Sequence, residues 1–419
     1  MRVHSPSMSD TLAILVGGGP APGINGVIAS AAIEAINSGL RVVGIYDGYR
    51  DLAAGTPVKT IELGLDDVSR IHTMGGSILR TSRTNPAKTE AQLEQSIRSL
   101  HELGARYLVC IGGDDTTFGA ARIAEAARGT IGVATVPKTI DNDLPLPDNA
   151  PTFGFETARS VGSNIIESLL EDARTTTRWY IVVSMGRKSG ALALGMCKAA
   201  GATLAVIPEE FPGQTIDLRL VIDTLVGAIV KRRSQGRDHG VAVVAEGIME
   251  RVDEEAIAAF DGVTRDAYGH VRLADVPIGS LLRDGVRSRL HELGIEATVL
   301  SKDIGYELRC AKPVAFDVDY TRTLGYGAVR YLLGGGSGAL IALSGGRVHP
   351  VKLEELTDPA TGRIRTRQVD VQAEAYTVAR DYMVRLEPAD LEEPSLSRVA
   401  ACTNLSPQAF RDAFVSSVR

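Results

Sequence analysis

The stretch PKTIDNDLP, Pro137 to Pro145, follows the apolar run IGVATV and packs Lys138, Asp141, Asn142 and Asp143 into one short turn. Two carboxylates about 4 Å apart repel by roughly 4 kcal/mol at an effective dielectric near 20. Asp141 and Asp143 beside Lys138 therefore suit a site where a cation, a phosphate or a proton transfer stabilises them. A solvated Asx-type turn after a strand is the alternative. A second acidic cluster, IGGDDT, ends another apolar strand upstream and carries Asp114, Asp115 and Thr116. The two clusters sit one βα unit apart, so in a parallel sheet their loops open on the same edge.

Three further turns could carry chemistry. TLAILV runs into GGGPAPGING, whose glycines at 17–19, 23 and 26 let backbone N–H groups face an anion at a helix N-terminus. Pro20 and Pro22 spoil any match to GxGxxG, so a tight turn is an equal reading of this loop. MGGSILRTSR offers Arg80 and Arg83, each able to fork onto phosphate oxygens or to sit idle on the surface. HGVAVVAEG delivers Glu246 directly after a hydrophobic strand, where an unpaired buried carboxylate is expensive and a polar ligand would explain it.

The elements that position these turns are alternating strands and helices. VIASAAIEAINSG has helical spacing and leads to the strand RVVGIY; residues 89–103 form an amphipathic helix, and a helix is expected over 117–128. Up to about residue 150 the pattern is repeated βα, an α/β class with a doubly wound sheet. A long helix over 153–173, the strand-to-glycine turn RWYIVVSMGRKSG and further strands extend to about 305 as a second α/β domain. The helix and strand after Arg309 could rejoin the first sheet. From Val351 the chain is charged and reads as a packing or interface appendage.

Composition narrows the field. With 44% hydrophobic residues, 419 residues can bury a full core in two or three domains. A net charge of −6 lends no support to nucleic-acid or anionic-membrane partners. Four separated cysteines, Cys110, Cys197, Cys310 and Cys402, read as buried free thiols in a reducing cytoplasm. Seven scattered histidines show no metal spacing, and Trp179 reads as core. MRVHSPSMSD has no apolar signal region, with Met8 a second candidate start, and no run of about 18 apolar residues occurs, so a cytoplasmic chain is expected.

GGGPAPGIN, IGGDDT, PKTIDND, GFETA, MGR and VAEG, in this order and spacing, resemble the phosphofructokinases from about residue 11 to 350. The resemblance implies two Rossmann-like α/β domains with the active site in the cleft between them. The donor-binding domain would hold 1–152 and about 310–350, the sugar-phosphate domain 153–309, and a C-terminal extension 351–419. It implies Asp141 as the base that takes the sugar 1-hydroxyl proton, with Asp143 and Lys138 supporting it, and Asp114 as the Mg²⁺ carboxylate. Gly18, Gly19, Arg83, Asp114, Asp115 and Thr116 would meet the phosphoryl donor. Thr139, Met185, Gly186, Arg187, Glu246, Tyr306 and Arg309 would hold fructose 6-phosphate, with Arg178 reaching the site of a neighbouring subunit in a homodimer or homotetramer.

Two residues bear on the donor. ATP-using relatives commonly carry Gly at the position of Asp115, and many carry Gly at that of Lys138. A carboxylate at 115 would repel a nucleotide's α-phosphate, and the Lys138 ammonium can grip a pyrophosphate that has no adenosine anchor. The pair resembles the pyrophosphate-dependent branch and implies a reversible transfer, with ATP as donor, or sedoheptulose 7-phosphate as acceptor, as the alternatives. The segment SKDIGYELR departs from the usual glycine-then-aromatic turn before the arginine.

Overall fold

The computed structural model describes residues 10–253, 277–358, 360 and 364–418; Met8 lies outside them. The chain divides into two compact units, residues 1–158 with 306–367, and residues 159–305 with 368–419.

The first unit is built on a seven-stranded sheet. Its strands are β1 (Thr11–Val16), β2 (Arg41–Ile45), β3 (Thr60–Glu62), β4 (Ala105–Gly112), β5 (Gly132–Pro137), β10 (Ala339–Ser344) and β11 (Arg347–Lys352). Their order is β11-β10-β5-β4-β1-β2-β3. All neighbours are parallel except the two edge pairs, β2 with β3 and β10 with β11. The strand after Arg309 does rejoin this sheet, through parallel pairing of β10 with β5.

Among the described residues, helices longer than eight residues carry the numbers α1 to α8. Helices α1 (Ile24–Asn37) and α8 (Ala315–Leu333) cover one face; α2 (Glu90–Glu102) and α3 (Asp114–Ala126) cover the other. The two covers explain why the strands read as unbroken apolar runs. Along β1, Leu12, Ile14 and Val16 enter the core under α1 and α8, while Ala13 and Leu15 enter the opposite core with Leu93, Leu108 and Ile123.

The second unit holds an all-parallel sheet in the order β7-β8-β6-β9, from β6 (Trp179–Ser184), β7 (Leu204–Val206), β8 (Gly240–Ala245) and β9 (Val299–Ile304). Its helices are α5 (Ala191–Ala200), α6 (Leu218–Ser234) and α7 (Ile278–Glu292), while α4 (Phe155–Thr176) carries the chain from the first unit into the second. Trp179 is buried as expected.

The segment from Val351 is shared between the units. Val351 belongs to β11, and the described residues up to Arg367 stay in the first unit. Residues 368–418 pack within the second, where Arg385 forms a buried ion pair with Glu210 and Phe410 stacks on Phe414. The cysteine expectation needs correction: all four thiols are free, but Cys310 is exposed and Cys402 half-buried. Among the described residues, no helix is long and apolar enough to cross a membrane.

Candidate active site

Register brings the first unit's turns together. Val16 pairs with Ile111 and Gly112 with Pro137, so the loops after β1, β4 and β5 leave the same carboxyl-terminal edge. The two acidic clusters therefore open side by side, as a parallel sheet requires.

The glycine turn works differently from the phosphate-cradle reading. The Gly17 amide donates to the Ile111 carbonyl at 2.8 Å and the Gly18 amide to the Ser82 carbonyl at 2.8 Å, so both are engaged within the protein. Their value lies in close approach. A Cβ on Gly17 or Gly112 would overlap the Thr116 side chain, and one on Gly18 would lie 3.4 Å from Lys138 Nζ. Gly18 also has φ +80°, a region that L side chains rarely adopt.

Lys138 is the centre of this cluster. Its amide continues the ladder to the Gly112 carbonyl at 2.9 Å, and its ammonium donates to the Gly19 carbonyl. The side chain is buried, and burial pulls its pKa from 10.5 down to about 8. Asp141 and Asp143 oppose that fall, while the cationic Arg309 and Arg83 add to it. Two carboxylates and two guanidinium groups thus act on one ammonium. Lys138 is buried, Asp141, Asp143 and Arg309 are half-buried and Arg83 is exposed; cations gathered at one strand end suit a polyanion such as a phosphate.

The helix after IGGDDT starts three residues earlier than expected. Gly113 is its extended N-cap, and Asp114, Asp115 and Thr116 form the first turn of α3. Carboxylates are stabilised there by the amide dipoles of the helix start, a local preference that the apolar pattern alone did not reveal. Asp115 is exposed, Asp114 half-buried and Thr116 buried.

The turn carrying Asp141 and Asp143 is tightly tied. Thr139 Oγ1 accepts from the Asp141 amide at 3.0 Å, and the Thr139 carbonyl accepts from Thr152 Oγ1 at 2.8 Å. Asn142 stands between the two aspartates with φ +56°, and its Oδ1 accepts from the Thr152 amide at 3.0 Å. Arg367 also reaches this turn from the far end of the chain; nothing in the local sequence around it signals such a contact.

Arg309 and Tyr306 fall in the first compact unit with Thr139, whereas Arg178, Met185, Gly186, Arg187 and Glu246 fall in the second. The Arg309 guanidinium lies 5.2 Å from the Tyr306 ring centroid and approaches Gly19, where a Cβ would sit 3.7 Å from its Cζ. Tyr306 is 80% exposed, leaving one ring surface open beside a cation.

A second convergence lies in the second unit. Ser184 pairs with both Ala245 and Ile304, so β6, β8 and β9 end together. The Gly186 amide donates to Glu246 Oε1 at 3.1 Å, and the Met185 amide to the Ile304 carbonyl at 3.0 Å. Gly186 has φ +134°, and a Cβ on Gly247 would overlap the Arg187 carbonyl. Met185, Gly186, Arg187 and Glu246 therefore share one edge. Arg178 is not among them: it precedes β6, and a strand of six residues separates it from Met185, roughly 20 Å of extended chain.

A family profile described as phosphofructokinase matches residues 11–332. The chain is 52% identical to the pyrophosphate–fructose 6-phosphate 1-phosphotransferase of Thermotoga maritima, over 96% of this chain and 98% of the relative. It is 48% identical to the protein of the same name from Naegleria fowleri, over 97% and 96%. Its fold is similar to a solved pyrophosphate-dependent phosphofructokinase from Marinobacter aquaeolei, with a TM-score of 0.68 at 17% identity over 89% of this chain and 90% of that one.

Proposed function

Because this chain belongs to the phosphofructokinase family, we propose that it moves a phosphoryl group from pyrophosphate to the 1-hydroxyl of fructose 6-phosphate, forming fructose 1,6-bisphosphate and phosphate. The observation that carries this reading is the buried Lys138 ammonium, held at the Gly19 carbonyl beside Asp141 and Asp143. Phosphoryl transfer asks a protein for alignment and for cations on the transferring oxygens rather than for covalent chemistry. Lys138, Arg309 and Arg83 supply fixed positive charge, and Asp141 takes the proton as the hydroxyl attacks. Asp143 keeps the turn acidic, and Thr139 holds Asp141 through its amide. Glu246 and the Met185–Arg187 turn serve the sugar phosphate.

Pyrophosphate is the donor in the names of the two nearly full-length relatives above, and Asp115 with Lys138 argues the same way in this chain. The hard oxygen donors of Asp114 and its neighbours fit Mg²⁺, which binds through one or two carboxylates plus phosphate oxygens. When bound, Mg²⁺ neutralises phosphate charge and orients the donor. Pyrophosphate and the sugar phosphate have similar transfer potential, so the reaction runs both ways. Arg178, remote from Met185 along β6, serves a second copy of the chain in this reading, which makes the enzyme a homo-oligomer. Both substrates are charged cytoplasmic metabolites, and the enzyme works there.

The test is product formation from fructose 6-phosphate and Mg²⁺ with pyrophosphate and ATP run in parallel. Turnover with pyrophosphate and none with ATP is expected. ATP turnover alone would overturn the donor assignment. Failure of both donors, with turnover restored by sedoheptulose 7-phosphate, would overturn the acceptor.

A further inference from the structure

Arg367 lies beyond the segment that the family profile matches, 225 residues after Asn142 in the chain. One residue nevertheless makes four hydrogen bonds to the acidic turn and its continuation. Its amide donates to the Asp143 carbonyl at 2.7 Å, its Nε to the Asn142 carbonyl at 3.0 Å, and its Nη1 to the Ala150 carbonyl at 2.9 Å. Its Nη2 donates to Asn142 Oδ1. The guanidinium is half-buried, and desolvation pulls its pKa down, with Asp143 and Tyr320 opposing. An arginine nonetheless stays charged at any working pH, so these are charge-assisted bonds in a sheltered place.

The turn needs such a clamp. Asn142 holds φ +56°, a left-handed conformation that asparagine tolerates better than most residues but that is not its lowest state. Asp141 and Asp143 flank it directly. Any relaxation of φ at residue 142 rotates one peptide plane and swings one aspartate away from the other. The Thr152 amide holds Asn142 Oδ1 from one side, and Arg367 holds the same oxygen and the adjoining carbonyl from the other.

We infer that Arg367 is a positioning residue for phosphoryl transfer, locking the left-handed Asn142 turn so that Asp141 and Asp143 keep their working directions. The inference rests on the proposed function for its kinetic consequence but not for its structural one. A strap that closes a catalytic turn from outside the common family segment is a means of tuning rate without touching substrate. Arg365, two residues earlier, donates instead to the Glu355 carbonyl and makes the natural control.

The experiment compares Arg367→Lys, Arg367→Met and Arg365→Met by steady-state kinetics, thermal unfolding and amide hydrogen exchange. A displacement near 1 Å at a reacting group can cost about 10²-fold, so kcat of Arg367→Met should fall about 10²-fold with KM within about threefold. Arg367→Lys keeps the charge, loses the fork, and should fall at least about tenfold. Exchange at the amides of residues 141–152 should quicken in both Arg367 variants, while Arg365→Met keeps wild-type kcat and exchange there. In a further variant, Arg367→Ala, which leaves room for a small ion, added guanidinium should partly restore kcat, as ammonium at the same concentration should not. Unchanged kcat with a lowered unfolding temperature would overturn the inference and leave Arg367 a structural residue. A raised KM at constant kcat would overturn it in favour of substrate contact. Absence of wild-type turnover with pyrophosphate would count against the proposed function, and the exchange arm would still decide whether Arg367 locks the turn.

Discussion

Replacing Lys138 with methionine should raise stability and destroy activity at the same time. The fall of its pKa from 10.5 to about 8 is caused first by burial. At 1.36 kcal/mol per pH unit, that fall corresponds to a cost of about 3 kcal/mol for carrying the charged form into the folded protein. The sign follows from proton counts. Below pH 8 both folded and unfolded chains hold the proton, and the full cost applies. Between about 8 and 10.5 the folded chain releases it while the unfolded chain keeps it, so the cost fades as pH rises. Methionine fills a similar volume without charge, but it leaves the Gly19 carbonyl without this donor, a loss of about 1–2 kcal/mol. The net gain without ligand is therefore about 1–2 kcal/mol at pH 7, read as a higher urea midpoint with an unchanged slope. At pH 9.5 the gap between variant and wild type should shrink. Loss of a preorganised cation at the transferring phosphate should lower kcat by about 10²–10³-fold. A variant less stable than wild type at both pH values, or a gap that does not narrow, would refute the claim that Lys138 is held charged against its surroundings.

Asp141→Asn keeps the shape and the backbone bond to Thr139 but removes the base, so kcat should fall about 10²–10⁴-fold with KM within about threefold; retention of kcat within tenfold would remove Asp141 from that role. Asp115→Gly deletes an exposed carboxylate in the first turn of α3. A charge pair about 4 Å apart is worth about 1–4 kcal/mol, so kcat/KM with ATP relative to pyrophosphate should rise at least about tenfold. An unchanged ratio would show that residue 115 does not select the donor.

Much of the frame was legible in the chain because its signals are local. Apolar runs of strand length ending in Gly and Asp mark strand ends, and a parallel sheet turns all such ends to one edge, which is why Asp114 and Asp141 could be brought together on paper. The order of motifs carried the family for the same reason. Other features need contacts between residues far apart in sequence. The Gly17 and Gly18 amides looked available for phosphate, yet they bond to Ile111 and Ser82. The approach of Arg309 to Gly19 likewise closes between residues far apart in the chain. The start of α3 at Asp114 depended on Gly113 taking an extended conformation, which no apolar periodicity reports.

Hydrophobic period and short motifs act over a few residues, so the α/β elements, the strand-end acidic turns and the family could be read from the chain alone. The lowered pKa of Lys138 and the grip of Arg367 on Asn142 emerge only once the chain is folded. Both depend on desolvation and on hydrogen bonds closed across 119 and 225 residues of chain, and neither leaves a local pattern.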